Sequence, residues 1–127
     1  MQRATFLRYL EDYNSGDVDR VLPHYEADVV FENYGRSQQG ADVGTFLRWL
    51  HTAVSNRLIP RHLLIDGDEI ALEAEAEVIA HMDLPDLPIG AMRKGERATS
   101  RMFAFYHTRG ERIAHVRIAG WPLIKLP

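Results

Sequence analysis

The segment from Ile70 to Ala80, IALEAEAEVIA, alternates between apolar and acidic side chains without a break from Leu72 to Val78. Leu72, Ala74, Ala76 and Val78 share one face and Glu73, Glu75 and Glu77 the other, a period of two that fits a half-buried β-strand and no helix. One face of the sheet is therefore covered, and the other is left to solvent or to a partner. Ala74 and Ala76 are too small to fill a core beneath a layer of helices, so room remains over the inward face.

The segments on either side supply the cover and the remaining strands. Phe6, Tyr9, Leu10 and Tyr13 recur at three- and four-residue steps on a first helix that stops at Asn14-Ser15-Gly16. Asp17 caps a short second helix with Val18, Val21, Leu22 and Tyr25 on its apolar side, kinked by Pro23. Val29, Val30 and Phe31 form a strand, followed by a polar loop from Tyr34 to Gly40. A third helix begins near Asp42 and carries Phe46, Leu47, Leu50, Ala53 and Val54. From Arg57 the helical spacing is lost. Leu63 to Ile65 runs as a strand into the turn Asp66-Gly67-Asp68, and ATSRMFAFYH and RIAHVRIAGW flank a turn at Arg109-Gly110. This order predicts a single α+β domain over residues 1–127, with three N-terminal helices packed on one face of a curved antiparallel sheet.

Composition narrows the function. The chain is 46% hydrophobic with a net charge of −3, which offers no basic surface for nucleic acid or an anionic membrane. It has no cysteine, so disulfides, thiolate nucleophiles and cysteine-bearing zinc sites are excluded, in keeping with a cytoplasmic protein. The N-terminal residues alternate apolar with charged and do not form a signal peptide or membrane span. The six histidines show no metal-ligand spacing, and phosphate-loop, dinucleotide and GxSxG motifs are absent. Neither a metal nor a cofactor is expected.

A concave apolar pocket is the expected site. Phe31, Phe103, Phe105, Val116 and Ile118, with Leu47 and the two alanines, are its candidate lining, although the same residues also serve as plain core. Arg101 shares parity with Phe103 and Phe105, so it is placed at or above the cavity, where a guanidinium needs an acidic partner or an anionic ligand. The ion pair is the first reading. His107, on the same parity, and Asp83, in the loop after the alternating strand, are the candidate acids or bases, against the plainer readings of a solvated histidine and a turn former. Met102, Ala104 and Tyr106 are expected on the outer face with His115 and Arg117, where a second copy would cover them.

The runs FLRYLEDYNSGDVDRVLPHYEADVVFENYG and SRMFAFYHTRGERIAHVRIAGW together resemble the opening and closing segments of the nuclear transport factor two-like superfamily, in its steroid delta-isomerase and SnoaL-like polyketide cyclase branches. The resemblance implies a cystatin-like cone with a pocket between helices and sheet, commonly in a homodimer. It places Tyr9, seven residues before Gly16, at the tyrosine that stabilises an enolate oxygen. It places Asn33 where the isomerases carry their aspartate base, and Arg101 or Met102 where they carry a protonated aspartate. Asn33 is also similar to the water-holding asparagine of the limonene epoxide hydrolases, but Phe31 stands at the position of their tyrosine. The implied function is a pocket for a small hydrophobic molecule bearing a carbonyl or hydroxyl group. Tyr9 and Asn33 would donate hydrogen bonds there, and isomerisation, cyclisation or dehydration would follow if His107 or Asp83 supplies a base. The alternative is a non-catalytic ligand-binding or dimerisation module of the same fold.

Overall fold

Phe6, Tyr9, Leu10 and Tyr13 are all buried on one side of α1 (Arg3–Asn14), as their spacing predicts. In the computed structural model, which describes residues 1–127, α2 (Val18–Val21) follows, with the Asp17 carboxylate accepting from the Asp19 backbone N–H as its N-cap. The second helix is shorter than expected. Pro23 removes a backbone donor, so the chain tightens into a 3-10 turn over Leu22–His24, and Tyr25 already belongs to a strand. Helix α3 spans Ala41–Ala53.

The strands are β1 (Tyr25–Asn33), β2 (Arg36–Gln39), β3 (Val54–Asp66), β4 (Glu69–Ala80), β5 (Arg97–Arg109), β6 (Arg112–Gly120) and β7 (Ile124–Lys125). They form one sheet in the order β2-β1-β6-β5-β4-β3, with β7 added beside β5. The helices lie on one face of this sheet, as expected, but the sheet is mixed because β1 runs parallel to β6. The expected polar loop from Tyr34 to Gly40 is instead the hairpin partner β2. Asn33 pairs with Arg36, leaving Tyr34 and Gly35 as a two-residue turn with φ of 52° and 81°, the double positive φ of a type I′ turn. Strand β3 begins directly after α3 and takes Val54 from the helix. Its Pro60 is tolerated because β3 is an edge strand with a register shift between Pro60 and His62.

On β4 the inward and outward faces are those that alternation predicts, with Leu72, Ala74, Ala76 and Val78 buried. On β5 they are reversed. Ser100, Met102, Ala104 and Tyr106 are buried, whereas Arg101, Phe103, Phe105 and His107 lie on the outer face, Phe105 with 55% of its surface exposed. Register fixes this outcome. Met102 lies opposite Ala74 and Ser100 opposite Ala76, and residues directly opposite in a ladder share a face. On β6, Val116 faces the core and Arg117 faces outward.

Candidate functional site

Where α1 and α3 end over the inner face of the sheet, the small side chain of Ala76 leaves a cavity of about 100 Å³. Phe31 and Ile118 from β1 and β6, Ala76 and Val78 from β4, and Met102 from β5 form its floor. Leu50, Val54 and Leu58 close the side towards α3 and β3. Leu87, Pro88 and Ile89 complete its lining. These three belong to a strap whose base is closed by paired hydrogen bonds between Leu84 and Met92, at 2.7 and 2.9 Å. The crest of the strap is tied to the C-terminal segment by the Leu123 N–H, which donates to the Ile89 carbonyl at 2.9 Å.

Four polar residues interrupt the apolar wall: Tyr13, Asn33, Tyr34 and Asn56, with Ser100 beside them. The side chain of Asn14 donates to the Leu58 carbonyl at 2.9 Å and accepts from the Leu58 N–H at 2.8 Å, pinning the end of α1 to β3 and setting Tyr13 against the cavity. The Asn56 amide donates to the Tyr13 hydroxyl at 3.1 Å. Burial pushes the Tyr13 phenol up to about 12, so it remains protonated at neutral pH and keeps its own proton to donate. The carbonyl oxygens of Asn33 and Asn56 are both buried without a hydrogen-bond partner. A buried polar atom left unpaired costs about 1–3 kcal/mol, so two on one small cavity mark a place where a partner is missing. Ser100 is already engaged, donating to the Trp121 carbonyl at 2.6 Å. His51 packs its ring edge-on to Tyr13 with centroids 5.4 Å apart, and burial holds its pKa below the usual value.

Of the residues expected at the site, Phe31, Asn33, Ala76 and Ile118 stand at the cavity wall. Leu47, Ala74 and Val116 are buried in the adjoining core and do not reach it. Tyr9 lies elsewhere. It is sealed in an aromatic cluster with Phe6, Tyr25 and Tyr106, its hydroxyl hydrogen-bonded to that of Tyr25 at 2.8 Å, and burial raises its pKa well above the ordinary phenol value. Tyr13, one turn further along the same stripe, is the tyrosine that faces the cavity.

The residues whose parity on β5 was misread leave the site altogether. Arg101 donates to Glu73 at 2.7 Å on the outer face, which is the ion pair considered first. Phe103 packs edge-on to Trp121 and Phe105 lies under the Arg117 guanidinium, both away from the helices. His107 sits 2.8 Å from Glu69 at the far end of the outer face, and Asp83 accepts from the Lys94 N–H at 2.9 Å as part of its loop. Neither candidate base approaches the cavity. No carboxylate lines it, and no group of three or more His, Cys, Asp or Glu side chains is placed to hold a metal ion. No helix is long and apolar enough to cross a membrane.

Tyr34 and Asn56 were not anticipated. Asn56 sits in a stretch with no helical or strand period that marks it as inward, and Tyr34 lies in what reads as a polar loop. The only trace of the latter in the sequence is the Tyr34-Gly35 pair closing a hairpin.

This architecture has many solved counterparts. A candidate polyketide cyclase of Pseudomonas putida superposes with a TM-score of 0.80 at 23% identity, over 91% of this chain and 87% of the other. An LEH-like epoxide hydrolase of M. tuberculosis gives 0.74 at 18% identity, over 92% and 80%. A protein of Catenulispora acidiphila with a ketosteroid isomerase-like fold, in complex with trimethylamine, gives 0.75 at 12% identity, over 94% and 86%. At these identities the likeness is one of fold. No curated protein matches the sequence. The profile of the SnoaL-like domain matches residues 6–116, nearly the whole of the helix-and-sheet unit just described, and the chain belongs to that family.

Proposed function

We propose that the cavity binds a small hydrophobic molecule carrying a hydroxyl or carbonyl oxygen. The observation that carries this reading is the pair of unpartnered carbonyl oxygens, Asn33 Oδ1 and Asn56 Oδ1, on side chains of a mostly apolar wall. A ligand hydroxyl would satisfy one or both, and the Tyr13 proton is available to a ligand oxygen in return. Binding is favoured over turnover. Isomerisation, cyclisation and dehydration each need a group that takes a proton near neutral pH, whereas the lining supplies phenols and amides. The names of two structural neighbours, candidate polyketide cyclase and epoxide hydrolase, are consistent with a pocket for organic molecules.

The reading is tested by titrating cyclohexanol into the isotopically labelled protein and following backbone amide shifts. Shifts clustered on Asn33, Asn56 and Ala76, with affinity reduced about three- to tenfold in Asn33→Leu, are expected from the loss of one hydrogen bond. Shifts scattered over the surface, or none, remove the cavity as a binding site.

A second reading, assembly as a homodimer, rests on the outer sheet face. Phe105 stands exposed near its middle, with Phe103 and the exposed Trp121 close by. The glutamates of β4 flank it on one side and Arg117 and His115 of β6 on the other. Two copies related by a two-fold axis could therefore lay their aromatic centres together, the charges around them being already paired within each copy, Glu73 with Arg101, Glu75 with Arg61 and His115 with Glu32. The two readings are compatible, since the cavity opens on the opposite side of the sheet.

A further inference from the structure

Tyr34 is the only residue other than glycine with a positive φ, at 52°. The first position of a type I′ turn favours Asn, Asp or Gly, and a bulky aromatic there holds a conformation that is costly for its type. The turn is nevertheless fixed, because the Tyr34 N–H donates to the Ile118 carbonyl at 3.0 Å. The side chain is also given dedicated space. A Cβ built on Gly120 would come within 2.7 Å of the Tyr34 hydroxyl and equally close to the Arg101 carbonyl, so the absence of a side chain at Gly120 lets the phenol lie where it does.

From that position Tyr34 forms part of the cavity wall, and its hydroxyl, unbonded within the protein, stays accessible rather than buried. Burial raises its pKa, so it is a neutral donor, and it lies near enough to Tyr13 to oppose ionisation there. Strain maintained by surrounding contacts, in a residue that lines a cavity and whose hydroxyl has no partner within the protein, is the pattern of a ligand contact more than of a turn former.

We infer that Tyr34 is a ligand-contacting residue whose hydroxyl donates to an acceptor oxygen of a molecule no larger than a single ring, while Asn33 and Asn56 accept from a donor on the same molecule. This rests on the binding role proposed above and narrows it. The limit follows from size: an engineered apolar cavity of about 150 Å³ holds benzene, and this one, at about 100 Å³, is smaller, so one ring is the most it takes and part of that ring lies towards the open side. The matching ligand is therefore a ketone of at most one ring that also carries a hydroxyl.

The test uses three probes on the whole protein: benzene, cyclohexanone and 4-hydroxycyclohexanone, with affinities from NMR titration. Wild type should bind the hydroxyketone most tightly. Tyr34→Phe should lose about five- to tenfold for both ketones while benzene affinity stays within twofold, as expected for one hydrogen bond removed without change of shape. Tyr34→Asn, better suited to positive φ, should raise Tm and still lose the ketone preference, an outcome that a purely structural tyrosine would not give. If benzene binds but Tyr34→Phe leaves the ketone-to-benzene ratio unchanged, the assignment of Tyr34 falls and the pocket stands. If no probe binds the wild type in the cavity, both fall.

Discussion

Tyr9 and Tyr13 sit one turn apart on the same buried stripe, and nothing in their spacing says which of them meets a cavity. The difference comes from what lies opposite. Tyr9 is surrounded by rings from α1, β1 and β5, whereas Tyr13 is brought to the cavity by the bonds between Asn14 and Leu58 and meets Asn56 across it. Those partners are more than forty positions away in the chain, so the resemblance that pointed to Tyr9 could not show that Tyr13 is the tyrosine lining the cavity. The alanines were more informative, because a small residue on an inward parity implies unfilled space wherever the helices happen to lie. Ala76 is the one that borders that space. Replacing it by leucine should fill the cavity and abolish cyclohexanol binding while circular dichroism and Tm stay near wild type. Added volume costs about 1–3 kcal/mol in a close-packed core, but less where a void receives it.

Among the elements, β4 was legible and β5 was not, for reasons visible in their side chains. On β4 one face is acidic and the other apolar, so alternation alone assigns them. Strand β5 presents aromatics on both faces, Phe103 and Phe105 against Tyr106, and only the ladder to β4 settles which go inside. Arg101 and His107, which share the parity of the two phenylalanines, were the sequence signal for the outer face and were outweighed. The short second helix owes its placement to charge as well as to Pro23. Asp12 of α1 receives both Arg20 of α2, at 2.8 Å, and His24 of the following turn, at 2.7 Å. The hydrogen bond from His24, followed by that from Arg20, holds the Asp12 carboxyl below the usual carboxylate range despite the opposing effect of burial. A carboxyl depressed in the folded state contributes stability above its unfolded pKa, near 4, and that contribution is lost as pH falls through the lower folded value. Thermal unfolding followed from pH 7 to pH 2 should therefore show Asp12→Asn less stable than wild type at neutral pH, with the two curves converging in acid.

For the molecule as a whole, covering one face of the sheet with helices leaves the other as a broad surface with paired charges and an exposed aromatic centre. If that face joins two copies, Phe105→Asp should convert the protein from dimer to monomer in sedimentation velocity at micromolar concentration, while cyclohexanol still shifts the Asn33 and Asn56 amides. Retention of the dimer in this variant would move the interface elsewhere. The strap from Leu84 to Met92 affects a different property of the molecule. It is closed at its base by a pair of backbone hydrogen bonds and held at its crest by the C-terminal segment, so if the cavity takes a guest the strap would limit how quickly that guest enters. Affinity would belong to the cavity wall, whereas entry would follow how often two short backbone ties and one tail contact let go together, so guests of very different chemistry would enter at similar, gate-limited rates and differ in how fast they leave.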